Sequence, residues 1–218
     1  MNLKHTIFGA ALLALATFAA PRAFAAVDAS GPFELIDSAS KTMLQELDAH
    51  RDEYRRDREK LYKLVDDTLL PHFDTEYSGK LVLAQNWRTA TPEQRKRFVA
   101  AFYHSLLRTY GDALLDFTSD RMKVFPLKVE PGADRATVRT EVKRSSGDRV
   151  PVNYSLRKTA DGWKAWDVTI EGISYVKSFR EDFFSEISKD GLEALIKRLE
   201  SGTVHPSGAA KPADGDKH

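Results

Sequence analysis

Apolar side chains fall on every second position between residues 138 and 170, and on every third or fourth position before and after that stretch. This change of period constrains the fold more than any other feature. A repeat of two puts one side of an extended chain into a core, and a repeat of 3.6 does the same for a helix. Helices, then a meander of strands, then helices again predict an α+β domain. Its antiparallel sheet would be wrapped on one face by helices.

The first helical stretch places Phe33, Ile36, Met43, Leu44 and Leu47 on one face, and Leu61, Leu64, Val65, Thr68 and Leu69 continue as a second amphipathic helix that Pro71 ends. Between them "RDEYRRDREK" (51–60) interleaves acids and bases at helical spacing, the pattern of a solvated face with weak i,i+4 pairs. A short helix is expected from Gly79 to Trp87. Thr91-Pro92-Glu93-Gln94 then carries a full start signal: Thr as N-cap, Pro at the first position and Gln three residues after the cap. In the helix it opens, Phe98, Val99, Phe102, Tyr103, Leu106, Leu107 and Tyr110 cover about half the circumference. A surface helix buries a stripe of roughly 100°, so this one is expected to be wedged between two apolar surfaces.

From about Met122 the period becomes two. Val138 and Val142 flank Thr140, and Ser145-Ser146-Gly147-Asp148 is turn chemistry. Val150, Val152, Tyr154 and Leu156 form the next strand, Asp161-Gly162 a hairpin turn, and Trp166, Val168 and Ile170 another strand. Tight antiparallel connections put these even-numbered side chains on one sheet face and charged residues on the other. Helices from Tyr175 to Ile187 and through Leu192, Leu195, Ile196 and Leu199 close the domain.

Lys4 and His5 precede an apolar run from Ile7 to Ala20, and Ala23-Phe24-Ala25 supplies small residues for a signal peptidase, so residues 1–25 are expected to be a cleaved secretory leader. Removing Lys4 and Arg22 takes the formal charge from +1 to −1, which predicts no dominant attraction to nucleic acid. With no cysteine in the chain, thiolate chemistry, cysteine-zinc sites and disulfide stapling are excluded. Residues 26–200 make one domain, and the tail 201–218, polar and rich in Gly and Pro, is expected to be disordered.

Candidate chemistry is thin. Gly172-Ile173-Ser174-Tyr175-Val176 lies between a strand and a helix and matches half of a G-x-S-x-G nucleophile elbow. Val176 replaces the second glycine, however, and only His205 and His218 follow as bases, both in the tail. The simpler assignment is that Ser174 caps the next helix and Gly172 permits the reversal. His50, His72 and His104 show no metal-ligand spacing, and no glycine loop suits a phosphate. An enzyme is therefore not expected. What remains is the apolar interior. From periodicity, Phe102, Leu106, Val152, Tyr154, Val168, Ile170 and Phe179 line it. Pattern does not separate a filled core from a lined pocket, and both stand open here.

The stretch "WKAWDVTIEGISYVKSFREDF" (163–183) resembles the closing signature of the MlaC, or toluene-tolerance, family of periplasmic phospholipid-binding proteins. Trp163, Lys164, Asp167, Val168, Ile170, Glu171, Gly172, Ser174, Val176, Arg180 and Phe183 stand where that signature expects them, while Ser178 replaces its asparagine. A second block, "NWRTATPEQRKRFVAAFYHSLLRTYGDAL" (86–114), resembles the family's W-x-x-A-T-P-x-Q-R helix. The likeness runs from about Phe33 to Leu199.

That resemblance implies a fold related to nuclear transport factor 2, with a curved antiparallel sheet, an acyl cavity beneath the helices and the head group at its mouth. It implies a periplasmic carrier, acting as a monomer, that moves phospholipid between an outer-membrane lipoprotein complex and an inner-membrane ABC transporter bearing an MCE ring, and so maintains outer-membrane lipid asymmetry. Phospholipid is then cargo, and no cofactor is implied. Val150 and Ile173 occupy positions that correspond to the family's cavity lining. Arg97, Arg108, Lys177 and Arg180 are candidate docking cations. The competing expectation is a solid-cored adaptor domain that docks partners through its charged sheet edge.

Overall fold

The computed structural model describes residues 27–144 and 147–202, so the expected leader and the tail from residue 203 lie outside the described residues. The elements run α1 (Pro32–Arg56), α2 (Arg58–Thr68), α3 (Thr75–Leu83), α4 (Asn86–Thr89), α5 (Pro92–Tyr110), β1 (Met122–Val124), β2 (Arg135–Lys143), β3 (Arg149–Thr159), β4 (Gly162–Ile170), β5 (Ile173–Ser174), α6 (Tyr175–Asp190) and α7 (Leu192–Ser201). The strands form one antiparallel meander in the order β1-β2-β3-β4-β5. No helix among the described residues is long and apolar enough to cross a membrane.

Local chemistry sets the helix ends. Thr91 Oγ1 accepts from the Gln94 amide and Gln94 Oε1 accepts from the Thr91 amide, both at 3.1 Å, so the capping box forms as its residues predict. The expected helix from Gly79 to Trp87 is instead two. Asp74 starts α3 earlier by accepting from the Tyr77 amide, and Ala84, at φ +49°, breaks the chain before α4. Gly79 lets α3 approach α5 closely, since a Cβ there would meet Val99 Cγ2 at 2.8 Å. Arg51, read as part of a solvated charged face, is half-buried and donates to the carbonyls of Leu115 and Phe117, fastening α1 to the segment after α5.

Helix α5 is wedged between two apolar clusters. Phe98, Ala101 and Phe102 meet Val176, Phe179 and Phe183 of α6 and Leu195, Ile196 and Leu199 of α7. On another side Leu107 joins Met43, Leu44 and Leu47 of α1 with Leu61, Leu64 and Val65 of α2.

The sheet corrects one expectation. Ser155 pairs with Asp167 and Leu156 with Ala165, so Trp166 is an extra residue in β4. This bulge reverses the alternation in β4. Val168 and Ile170 share the apolar face with Val152 and Tyr154, but Trp163 and Ala165 continue it in place of Trp166. Trp166 packs instead with the α3–α7 cluster and meets Tyr77 edge-on at 5.7 Å. The outer edge of β4 is covered, as an exposed edge must be to avoid pairing with other chains. Phe73 bridges Ala165, the Asp74 amide donates to the Ala165 carbonyl at 2.7 Å, and β5 covers the far end.

Candidate functional site

The two-residue turn between Ile170 and Ile173 explains the strand-to-helix switch. Glu171 (φ +51°) and Gly172 (φ +84°) both take positive φ, as a type I′ hairpin turn requires, and glycine meets that demand without strain. The Ser174 hydroxyl donates to Asp167 Oδ2 at 2.6 Å and accepts from the Lys177 amide at 3.2 Å. Asp167, 5% exposed, also accepts from the Val176 amide at 3.0 Å. The charge of that carboxylate is thus met by the open amides and positive end of α6. Ser174 and Asp167 together anchor the helix. This is the arrangement of a cap and not of a nucleophile with its base.

The nine residues expected to line a cavity separate into two groups. Val150, Val152, Tyr154, Val168 and Ile170 converge on one sheet face, where Phe117, Met122 and Val142 join them. Ile173 stands opposite Ile170 at the rim and is 44% exposed. Phe102 and Phe179 lie elsewhere, in the α3–α7 cluster, with ring centroids 5.1 Å apart and Phe183 stacked on Phe179 and edge-on to Phe102. Leu106 packs at the edge of that cluster. Phe102 and Phe179 therefore fill their own space with rings, while the sheet group forms an aliphatic wall.

The two ends of that wall differ. At one end Val138, Leu156, Trp163 and Ala165 are closed off by Leu35 and Ile36 of α1. At the other, Tyr154, Val168 and Ile170 remain only half-buried. Tyr154 belongs to both ends. Partial burial pushes the pKa of its phenol up to about 12. No hydrogen bond from its hydroxyl is found among the described residues. Thr140, on the same face, spends its hydroxyl on the Val152 carbonyl at 2.7 Å, so Tyr154 places a second donor on a largely apolar surface.

A groove of about 670 Å³ opens along a different side of α5, walled by Asp66, Leu70, Thr75, Trp87, Arg95 and Tyr103 among others. None of the nine expected residues lines it. Its character is mixed. Tyr103 donates to Asp66 Oδ1 at 2.6 Å, and burial, then that bond, hold its pKa far above the ordinary phenol value. Arg95 lies over the Trp87 ring at 5.3 Å. Charges of both signs make it a poorer match for acyl chains than the sheet face. The sequence carries no mark of this groove, because its residues come from four separate helices and the turn after α2.

Two of the candidate docking cations are used within the chain. Arg97 bridges Glu193 and Glu200 of α7 at 2.8 Å each, and Arg108 donates to the Leu199 carbonyl at 2.6 Å. Lys177 and Arg180 are exposed on α6. Among the described residues no group of three His, Cys, Asp or Glu side chains is placed to hold a metal.

Comparison with known proteins gives consistent results. The family model "MlaC protein" matches residues 37–201. The toluene tolerance protein ttg2D of Pseudomonas putida is 30% identical over 189 residues, spanning 86% of this chain and 87% of that one. The intermembrane phospholipid transport system binding protein MlaC of Haemophilus influenzae is 21% identical over 184 residues, spanning 83% and 86%. Among solved structures, the phospholipid-binding protein from Ralstonia solanacearum, in complex with a phospholipid, superposes with a TM-score of 0.71 at 26% identity, covering 77% of this chain and 93% of that one.

Proposed function

The chain belongs to the MlaC protein family, and from that premise we propose that it binds phospholipid and carries it through water. The observation that supports this best is the half-buried aliphatic end of the sheet, running from Val152 through Tyr154, Val168 and Ile170 to the exposed Ile173. A relative of the same fold holds a phospholipid. Val150, Val152, Val168, Ile170 and Ile173 form the acyl wall, and Phe102, Leu106 and Phe179 hold α5 and α6 in place behind it. The Tyr154 hydroxyl offers that wall a hydrogen-bond donor.

The energetics suit a carrier. Exposing acyl chains costs ~0.8 kcal/mol per CH₂, so two chains of about 30 methylenes in all risk roughly 24 kcal/mol in a crossing. Smooth aliphatic walls replace that burial without the directional bonds that would trap the cargo. The carrier works in the periplasm and passes lipid between an outer-membrane lipoprotein complex and an inner-membrane ABC transporter with an MCE ring. The signature blocks at 86–114 and 163–183 support that assignment.

Native mass spectrometry of gently purified protein tests it: a glycerophospholipid adduct is expected. Repeated recovery of lipid-free protein would overturn it in favour of a solid-cored adaptor, a reading that the filled Phe98, Phe102, Phe179 and Phe183 cluster favours.

A further inference from the structure

The face of the sheet opposite the acyl wall is basic. Strand register places Lys123, Arg135, Arg139, Lys143, Arg149, Arg157 and Lys164 on that face. The carboxylates sharing it are Glu141 and Asp167, and Asp167 is buried beneath the start of α6. A chain with a formal charge of only +1 thus segregates its charge strongly. We propose that this face is an electrostatic landing surface for an anionic phospholipid bilayer.

Two independent features carry the proposal. The first is unrelieved charge. Arg149 is paired with Glu141 at 2.5 Å, Arg157 with Asp74 at 2.6 Å and Lys164 with Asp161 at 3.6 Å. Lys123, Arg135, Arg139 and Lys143 are exposed and have no ion pair among the described residues. The second is register. Lys143 stands directly opposite Arg149, Arg135 opposite Arg157, and Arg157 opposite Lys164. Like charges facing one another across strands are destabilising. A fold that keeps three such pairs on one face gains from an anionic surface laid over them.

The chemistry between the cations selects the partner. Thr137, Pro151, Asn153, Ser155 and Thr169 fill the spaces, and the aromatic rings beside the cations are already covered by them, Tyr77 and Trp166 by Arg135 and Arg157 and Phe125 by Lys123. Protein interfaces concentrate their energy in aromatic and arginine anchors seated in pockets. Here the cations are spread along β2 over about 27 Å, eight steps of ~3.4 Å, which suits a field of head-group phosphates better. The sheet end holding Lys143, Arg144 and Arg149 also carries Ile170 and Ile173, since Val152 pairs with Ile170 next to that hairpin. Landing on this face therefore brings the rim of the acyl wall close to the bilayer.

The test is vesicle sedimentation of the purified protein with phosphatidylcholine alone and with phosphatidylcholine containing phosphatidylglycerol. Binding is expected only to the anionic vesicles, with release at ~1 M salt, where the screening length falls to about 3 Å. The triple variant Lys123→Gln/Arg139→Gln/Lys143→Gln should partition about a hundredfold more weakly, with a melting temperature no lower than that of wild type, since the Lys143–Arg149 repulsion is relieved, and an unchanged phospholipid adduct. That adduct, read separately, tells failure of the landing surface from failure of the carrier assignment. Wild-type protein left in the supernatant with both vesicle types would overturn the proposal and point to an acidic protein surface. Equal binding to both vesicle types, or equal binding by the triple variant, would overturn it as well.

Discussion

Ile173→Glu separates a lipid path from a packed core. Ile173 sits across from Ile170 on the sheet's apolar side, yet 44% of it is exposed. Losing its partial burial forfeits about half of the ~1.5–3 kcal/mol contributed by a fully buried aliphatic side chain, so about 1 kcal/mol of stability. The new carboxylate can turn to water and adds little further cost. Covering the same carboxylate with an acyl chain is different, because stripping solvent from an ion costs several kcal/mol. Taking ~4 kcal/mol, affinity for lipid should fall about a thousandfold. The assay pairs thermal unfolding by circular dichroism with native mass spectrometry, and Ile173→Leu serves as the control that keeps the wall apolar. A folded Ile173→Glu protein with full lipid occupancy would refute the argument, since the tails would then not cross that rim. A stability loss above ~3 kcal/mol would refute it too, by showing a side chain already held in a core. Val152→Glu is a poorer probe, because Val152 is only 9% exposed and a buried carboxylate threatens the fold itself.

Phe179→Ala should cost ~3–5 kcal/mol in urea unfolding and leave the folded fraction able to hold lipid; lost lipid at unchanged stability would place the ring against the tails instead. Ser174→Ala should cost about 1 kcal/mol through the lost cap, read as a lower melting temperature, and an unchanged melting curve would mean that Asp167 holds α6 alone. The His72 pKa is held below 6.5 by burial and then by the charge of Lys164, so the unfolded chain takes up its proton more readily than the folded one. Its contribution is complete above pH 6.5 and lost as pH falls toward the lowered folded pKa. Melting temperature should therefore drop between pH 7 and pH 5, and His72→Gln should flatten part of that drop; a variant as pH-sensitive as wild type would exonerate the histidine.

Much of the molecule is legible in its residues alone. The Thr91–Gln94 start signal is a local hydrogen-bonding pattern, so it could be recognised from four residues. The breadth of the apolar surface on α5 announced two packing partners, and both clusters are there. Gly172 and Ser174 act as their residue types suggest, one in a turn at positive φ and the other as a cap. The failures have a common cause. Nothing in "WKAWDVTI" reveals that Trp166 is the extra residue of a bulge, since that depends on which partner β3 offers at Leu156. Phe102 and Val152 both read as interior, yet they belong to different clusters. Ala84 breaks a helix with a residue that favours helix, which no propensity foretells.

Periodicity, turn chemistry and capping act between neighbours in the chain, so the order of elements, the faces they bury and the absence of thiol chemistry were settled by residues alone. Which apolar faces close on each other and which stay open, where a register slips, and how seven cations gather on the back of a sheet depend on groups brought together from distant parts of the chain. Only the folded packing decides those, because it alone sets the distances over which burial and charge act.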